Sequence, residues 1–365
     1  MVRSAYPDPW AVVPEHVWNA EVDTVARAYP SAGQDARGML LGRLVGLLDT
    51  HTQFFKDPEE MYDVWIYRFF DGSYVVAARD ESLVGARLVS ISGKPIAKVE
   101  RALARTIPAD NRSAILNGAY LTAYVDHLHG LGVVRDVSDP AFEFELPGGR
   151  RRTVDLGTSP AGDFLNDLGL TTGGAAEGDF TEAVRRRAEP LWWRTDRSSR
   201  TFLLSVNDFV DAATATKALD AALDSGRADR VVVDMRYLRG GDWTPLRPLV
   251  DALRANRRIN DPARLSILIG RENESAATVV AYWFDTETRA TLIGEPTPAR
   301  ADPFTFEAKR EVTLPDTGYL FALPTTQFGN GDQRSAVMPD VRLVPRSTDF
   351  FAGRDVTLAY ALYRR

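Results

Sequence analysis

The chain has 365 residues, 44% hydrophobic and 10% aromatic, enough to bury a substantial core and to form two or three structural units. Lys and Arg number 44 against 50 Asp and Glu, a net charge of −6 without a long single-sign run, which argues against nucleic acid and anionic membranes as partners. There is no cysteine, so disulfides, thiolate nucleophiles and cysteine zinc sites are excluded, while the compartment stays open. Residues 1–10 lack the apolar core of a signal peptide, and no stretch approaches the ~20 apolar residues of a membrane span. The chain therefore reads as soluble, with the cytoplasm favoured.

In chain order, residues 17–29 and 38–48 carry apolar residues at helical spacing, with Leu40, Leu41, Leu44, Leu47 and Leu48 expected to form one packing stripe. Residues 1–60 are thus an N-terminal helical region. The segments WIYRF, SYVVAA and ARLVSI follow as short strands, with turn signals at Asp71-Gly72 and Ser92-Gly93 and a helix from about Ile96 to Thr106. Strand, Gly-Lys-Pro turn and helix is the order near the end of a PDZ domain, and residues 61–155 are taken as a PDZ-like domain with a helical link. Gly148 to Arg152 reads as a hairpin turn, and the Gly-, Thr- and Asp-rich stretch from Asp163 to Asp179 brackets the last boundary.

Residues 156–365 form the third segment. From Arg200 onward TFLLSV, a helix over 211–224, RVVVDM, a helix over 244–255, LSILIG, a helix from Ser275 and ATLIGE alternate. Such βα alternation predicts a sheet with parallel strands under helices, and the β-branched RVVVDM suits a buried strand.

Two turns carry chemistry. Asp234-Met-Arg-Tyr-Leu-Arg-Gly-Gly241 ends a buried strand in two glycines, which either make an ordinary turn or bring backbone N–H groups to a bound carbonyl. Arg271-Glu-Asn-Glu-Ser-Ala-Ala277 enters an apolar helix. There Ser275 is either an N-cap or a serine placed where free N–H groups and the helix dipole stabilise an oxyanion.

Together these segments resemble, in order and spacing, the tail-specific (C-terminal processing, S41) serine peptidase family. Asp234 to Gly241 approximates its Asp-Leu-Arg-x-Asn-x-Gly-Gly, with Leu238 in place of the asparagine. Ser275-Ala-Ala277 and Gly294-Glu-Pro-Thr297 match its Ser-Ala-(Ala/Ser) and Gly-Glu-Pro-Thr motifs, and Met338-Pro-Asp-Val341 its late Pro-Asp strand. Gly85 to Ile96 looks like its PDZ-type stretch, and Asn111 to Leu131 like the helical link that follows. The resemblance runs from about residue 40 to the C-terminus and implies an α/β fold, with a ClpP/crotonase-like C-terminal catalytic domain behind the N-terminal helical region and PDZ-like domain.

The same resemblance implies acyl transfer at Ser275, with Gly240, Gly241 and Ala276 as the oxyanion hole. The Ser/Lys arrangement lacks its lysine, since Thr297-Pro-Ala-Arg-Ala-Asp302 offers only Arg300, which stays protonated at any working pH and cannot act as a base, and Lys309 lies far along the chain. Leu48-Asp-Thr-His-Thr52 looks instead like the Asp-x-His-Thr of tricorn-like members, making His51 the general base. The position of their glutamate falls at Gln333, which can orient an imidazole but lends it no full charge; Asp332 is its acidic neighbour. His127 and His129 have no metal-like spacing and are read as surface or link residues.

The expected function is peptide hydrolysis through a Ser275 acyl-enzyme, without metal or organic cofactor. The partner would be a peptide or protein substrate, reached by its C-terminal tail, with the PDZ-like part either capturing peptide or bracing the catalytic domain. Gln333 and Leu238 also fit a weakened or inactive member that binds peptides or hydrophobic ligands, and a biosynthetic esterase, amidase or cyclase is the remaining alternative.

Overall fold

A strand that is apolar on both faces needs cover on both sides, and Arg230–Asp234 obtains it at the centre of a six-stranded sheet. The computed structural model describes residues 2–56, 60–167 and 181–364. In sheet order the strands are Leu191–Asp196, Thr201–Val206, Arg230–Asp234, Leu265–Ile269, Thr291–Gly294 and Val341–Arg342. The first pair is antiparallel and the remaining pairs are parallel, as the βα alternation predicts.

Side chains leave this sheet in alternation. Phe202, Leu204, Val231, Val233, Ile267 and Ile269 join the helices Ala213–Asp224, Arg247–Ala255 and Ala276–Glu287 in one core. Leu203, Val232, Leu268 and Ile293 face the other way, onto Leu358, Ala361 and Leu362 of the helix Val356–Tyr363. Period-2 alternation thus divides an unbroken apolar run between two helix layers.

The chain divides into two compact units, one comprising Met1–Thr172 and Phe304–Gln327, the other Gly173–Pro303 and Phe328–Arg365. The helical segment 1–60 and the segment 61–155 fall within one unit. The strands Phe304–Thr313 and Leu320–Gln327, which lie inside the 156–365 segment, belong to that unit as well. There Leu320–Gln327 pairs antiparallel with Gln53–Phe55, with Gln53 opposite Ala322. Part of the boundary stretch Asp163 to Asp179 lies outside the described residues; its first residues end the helix Ala161–Asp167.

In the first unit an antiparallel sheet runs Val64–Phe69, Gly72–Ala78, Arg87–Ile91, Phe142–Glu145 and Arg151–Val154, with Lys94–Pro95 paired beside Arg87–Ile91. The Ser92-Gly93 turn has φ of 47° and 70°, as a tight hairpin with two left-handed centres demands. The helix Ile96–Leu103 follows. Val64–Phe69 is an edge strand, and the 3-10 segment Gly118–Ala123 packs on it, Trp65 stacking on Tyr120 at 5.1 Å.

The leucine stripe holds at Leu48, which is fully buried, and is corrected for the helix before it. The helix Gln34–Val45 buries Gly38, Met39, Gly42 and Val45, while Leu40, Leu41 and Leu44 are only half-buried. Glycine makes that face because neighbours come very close: a Cβ at Gly38 would stand 2.7 Å from the Tyr319 ring, and one at Gly42 3.2 Å from Thr106. Just past the helix, a Cβ at Gly46 would meet the Arg105 carbonyl oxygen at 2.2 Å.

Candidate active site

The strand Leu265–Ile269 ends at Gly270, and within a few residues the chain turns into the helix Ala276–Glu287. Ser275 stands at that helix's N-cap position, but its side chain makes no capping bond. Its backbone adopts φ 55° and ψ −123°, outside the left-handed helical well and rare for any residue with a side chain. Holding it there costs about 1–3 kcal/mol, and strained strand-to-helix turns of this kind present a serine hydroxyl above a sheet. The side chain is half-buried, and Oγ makes no hydrogen bond among the described residues of its unit.

The glycine loop lies directly behind this serine. A Cβ on Gly240 would be 3.2 Å from Ser275 Cβ and 3.6 Å from its Oγ, and one on Gly241 would be 2.7 Å from the Phe209 ring. No other residue fits either position without displacing these neighbours. The N–H groups of Gly240, Gly241 and Ala276 have no acceptor among the described residues. Side-chain-free backbone beside the serine and an open helix N-terminus are what a developing oxyanion needs.

Several bonds fix the loop against the turn. The Ala277 N–H donates to the Arg239 carbonyl at 3.2 Å, and the Arg239 guanidinium pairs with Glu272 at 2.5 Å. Asn273, fully buried, donates from Nδ2 to the carbonyls of Met235 at 2.5 Å and Leu238 at 2.8 Å, and accepts from the Gly270 N–H at 2.7 Å. Leu238 is itself fully buried in the core, and its carbonyl is held by Asn273. Asn273 was not a candidate from sequence. A short polar residue in a strand-to-helix turn was the available signal, but partners 35 and 38 positions away cannot be read from the chain.

The resembling motifs do structural work around the turn. Asp234 and Asp355 both grip Arg236, each at 2.6 Å, and the paired carboxylates hold that guanidinium far above its ordinary pKa against the effect of burial. Glu295 forms a bidentate pair with Arg271, which is 2% exposed. Gly294 has φ 128°, and a Cβ on it would lie 2.1 Å from the Ile269 carbonyl oxygen. Thr297 Oγ1 accepts from the Val337 N–H at 2.9 Å, and the Asp340 carboxylate accepts from the Leu292 N–H at 2.9 Å. Glu274, beside the serine, has its pKa raised chiefly by burial.

His51 lies in the other unit. Its side chain is 6% exposed, with the Phe306 ring 6.3 Å away, and neither ring nitrogen has a hydrogen-bond partner among the described residues of that unit. Burial lowers its pKa to about 4, so the imidazole is neutral, the form a general base requires. Asp49, fully buried, accepts from the His51 N–H at 2.7 Å and from Thr52 Oγ1 at 3.2 Å. Burial, with the nearby Asp110 carboxylate, pushes the Asp49 pKa up. Its carboxylate is 3.9 Å from His51 Nδ1, too far for a hydrogen bond.

Gln333 is exposed and donates from Nε2 to the Gly331 carbonyl at 3.3 Å. Its neighbour Asp332 is committed to Arg334 at 2.7 Å, which lowers the carboxyl pKa. Asp302 accepts from the N–H groups of Gly329, Asn330 and Gly331, shaping the loop before Gln333. Arg300 is buried, and Lys309 pairs with Glu311 at the surface. The reading of His127 as a surface residue is corrected: it is 7% exposed, edge-on to Tyr124 and 3.5 Å from Asp126, because its short helix packs into the first unit. His129 pairs with Asp35 at 2.6 Å. Among the described residues no group of three or more His, Asp or Glu is placed to hold a metal, and no helix is long and apolar enough to cross a membrane.

No protein-family model matches the chain, and no curated protein does. Solved structures do. Mature CPAF aligns with a TM-score of 0.64 at 14% identity, over 98% of this chain and 92% of that one. Mature CPAF complexed with lactacystin gives 0.64 at 13% identity, over 98% and 94%. The photosystem II D1 C-terminal processing protease aligns at a TM-score of only 0.40, with 15% identity over 98% of this chain and 95% of that one. The chain therefore has an S41-like fold, as the sequence resemblance implied.

Proposed function

We propose that the chain is a serine-type hydrolase of peptide bonds. The observation that carries this reading is the strained backbone of Ser275, with Gly240 pressed against its side chain and the neighbouring N–H groups unclaimed. Ser275 Oγ attacks the substrate carbonyl carbon while its proton passes to the neutral imidazole of His51. The oxyanion is held by N–H groups of Gly240 or Gly241 and of Ala276. The C–N bond then breaks as the imidazolium returns that proton to the leaving amine. Water, deprotonated by the same imidazole, hydrolyses the acyl-enzyme and regenerates the serine. Gln333, its amide nitrogen already bound, orients His51 through its amide oxygen.

Intact mass after fluorophosphonate treatment tests the pair without knowledge of the substrate. A single adduct is expected on the wild type, absent in Ser275→Ala and slowed by a factor of roughly 1,000 or more in His51→Ala. An unlabelled wild type that nonetheless binds peptides or apolar ligands would replace hydrolysis with a binding function. An adduct surviving in Ser275→Ala would remove the serine assignment.

A further inference from the structure

The loop that supplies Gly240 and Gly241 has no regular secondary structure between the strand Arg230–Asp234 and the 3-10 turn Thr244–Leu246, so something outside it must set its position. Three of its carbonyls are held from the nucleophile segment: Met235 and Leu238 by Asn273 Nδ2, and Arg239 by the Ala277 N–H. The Met235 carbonyl also accepts from the Leu238 N–H at 2.9 Å, closing a turn whose two ends meet at the asparagine amide. On its other side that amide accepts from the Gly270 N–H, and the Asn273 carbonyl accepts from Thr278 Oγ1 at 2.6 Å. With a carbonyl oxygen on each of two bonds and an N–H on the third, only one orientation of the amide satisfies all three. Asn273 is 0% exposed, so water does not substitute for it.

We infer that Asn273 is the positioning residue of the oxyanion hole, setting where the Gly240 and Gly241 N–H groups stand relative to Ser275 Oγ. This rests on the proposed serine mechanism. The reasoning is geometric. A peptide plane is rigid, so the Ala277 N–H that holds the Arg239 carbonyl fixes the plane carrying the Gly240 N–H, while Asn273, holding the Met235 and Leu238 carbonyls, fixes the turn that delivers that plane. Stabilisation of an oxyanion depends steeply on donor placement, and it acts in the transition state rather than on the bound substrate. Loss of the amide therefore lowers kcat while leaving KM nearly unchanged. A residue that merely stabilises the turn would lower the amount of folded protein and leave each surviving site fully active.

The test uses the full chain with p-nitrophenyl acetate as substrate, with active sites counted by fluorophosphonate titration so that misfolded protein drops out of the comparison. In Asn273→Ala, kcat per titrated site is expected to fall roughly 10- to 100-fold, with KM within about threefold. The fluorophosphonate labelling rate should fall in parallel. Asn273→Ser, which keeps a polar but shorter side chain, gives the same reading should the alanine variant yield too few sites. Unchanged kcat per titrated site in either variant, with a labelled wild type, overturns the positioning role alone. A wild type that takes no label at all overturns the serine mechanism on which it rests.

Discussion

Around Ser275 nearly every polar group that shapes the backbone is answered: Asn273, the Arg239–Glu272 pair and the Ala277 N–H lock two loops together within one unit. The His51 segment, in the other unit, is built differently. Its backbone is secured through Asp49, and Asp110 and Ala109 donate to Thr50 and Leu48, yet the ring itself is buried with neither nitrogen answered among the described residues of that unit. Burying a polar group without a partner costs about 1–3 kcal/mol, so a core chosen for stability alone would place an apolar ring there. The contrast teaches that the nucleophile turn is complete in itself, whereas the imidazole is retained at a stability cost, as a group kept for chemistry is.

The largest effect should come from breaking an answered contact. Glu295→Ala leaves Arg271 charged and buried, and a loss of about 3–5 kcal/mol in urea-unfolding free energy is expected. A change under 1 kcal/mol would mean that the second unit is not held by its ion pairs. Next in size is a pH effect in the first unit. His51 is depressed from 6.5 to about 4, so its contribution is present above the unfolded value and is lost as pH falls toward the folded one. Asp49 runs the other way, since its raised folded value weakens the fold as pH rises above 3.8. The two partly cancel in the wild type, and the difference from His51→Phe isolates the histidine. The wild type should lose on the order of 3 kcal/mol relative to that variant between pH 7 and pH 4, measured by denaturant unfolding at each pH. A pH-independent difference would mean that the imidazole is not buried as described.

At pH 7 the same His51→Phe variant should be about 1 kcal/mol more stable than the wild type while losing fluorophosphonate labelling. A destabilised variant would show that the ring nitrogens are satisfied in solution. The smallest effect is expected for Gln333→Glu, where a full charge would favour the imidazolium. The acid limb of the labelling rate should move to higher pH by less than one unit, and an unmoved profile would remove Gln333 from the site.

The parallel sheet was readable because β-branched runs such as RVVVDM have one stable setting, buried on both faces between helices. The placement of Ser275 at a strand-to-helix turn was readable because it lies in a short contiguous motif between an apolar strand and an apolar helix, while its role and that of Gly240 and Gly241 stand as proposals. Three things were not readable. The packing face of the helix Gln34–Val45 includes Gly38 and Gly42 beside Met39 and Val45, and glycines carry no hydrophobic signal, so the half-buried leucines outweigh that face in the sequence pattern. Asn273 acts through partners more than thirty positions away. The helix carrying His127 looked like a surface link because nothing local reveals the neighbours that cover it.

The return of Phe304–Thr313 and Leu320–Gln327 to the first unit has a consequence for biosynthesis. Phe304 and Leu323 complete the small core that holds Leu48 and Tyr6, and the strand Gln53–Phe55 pairs with Leu320–Gln327. The segment bearing His51 is therefore finished only after residues 304–327 have emerged. The setting of the proposed base is thus completed after the nucleophile turn has emerged, and a translation product halted before residue 304 would carry Ser275 without the strand that pairs with Gln53–Phe55.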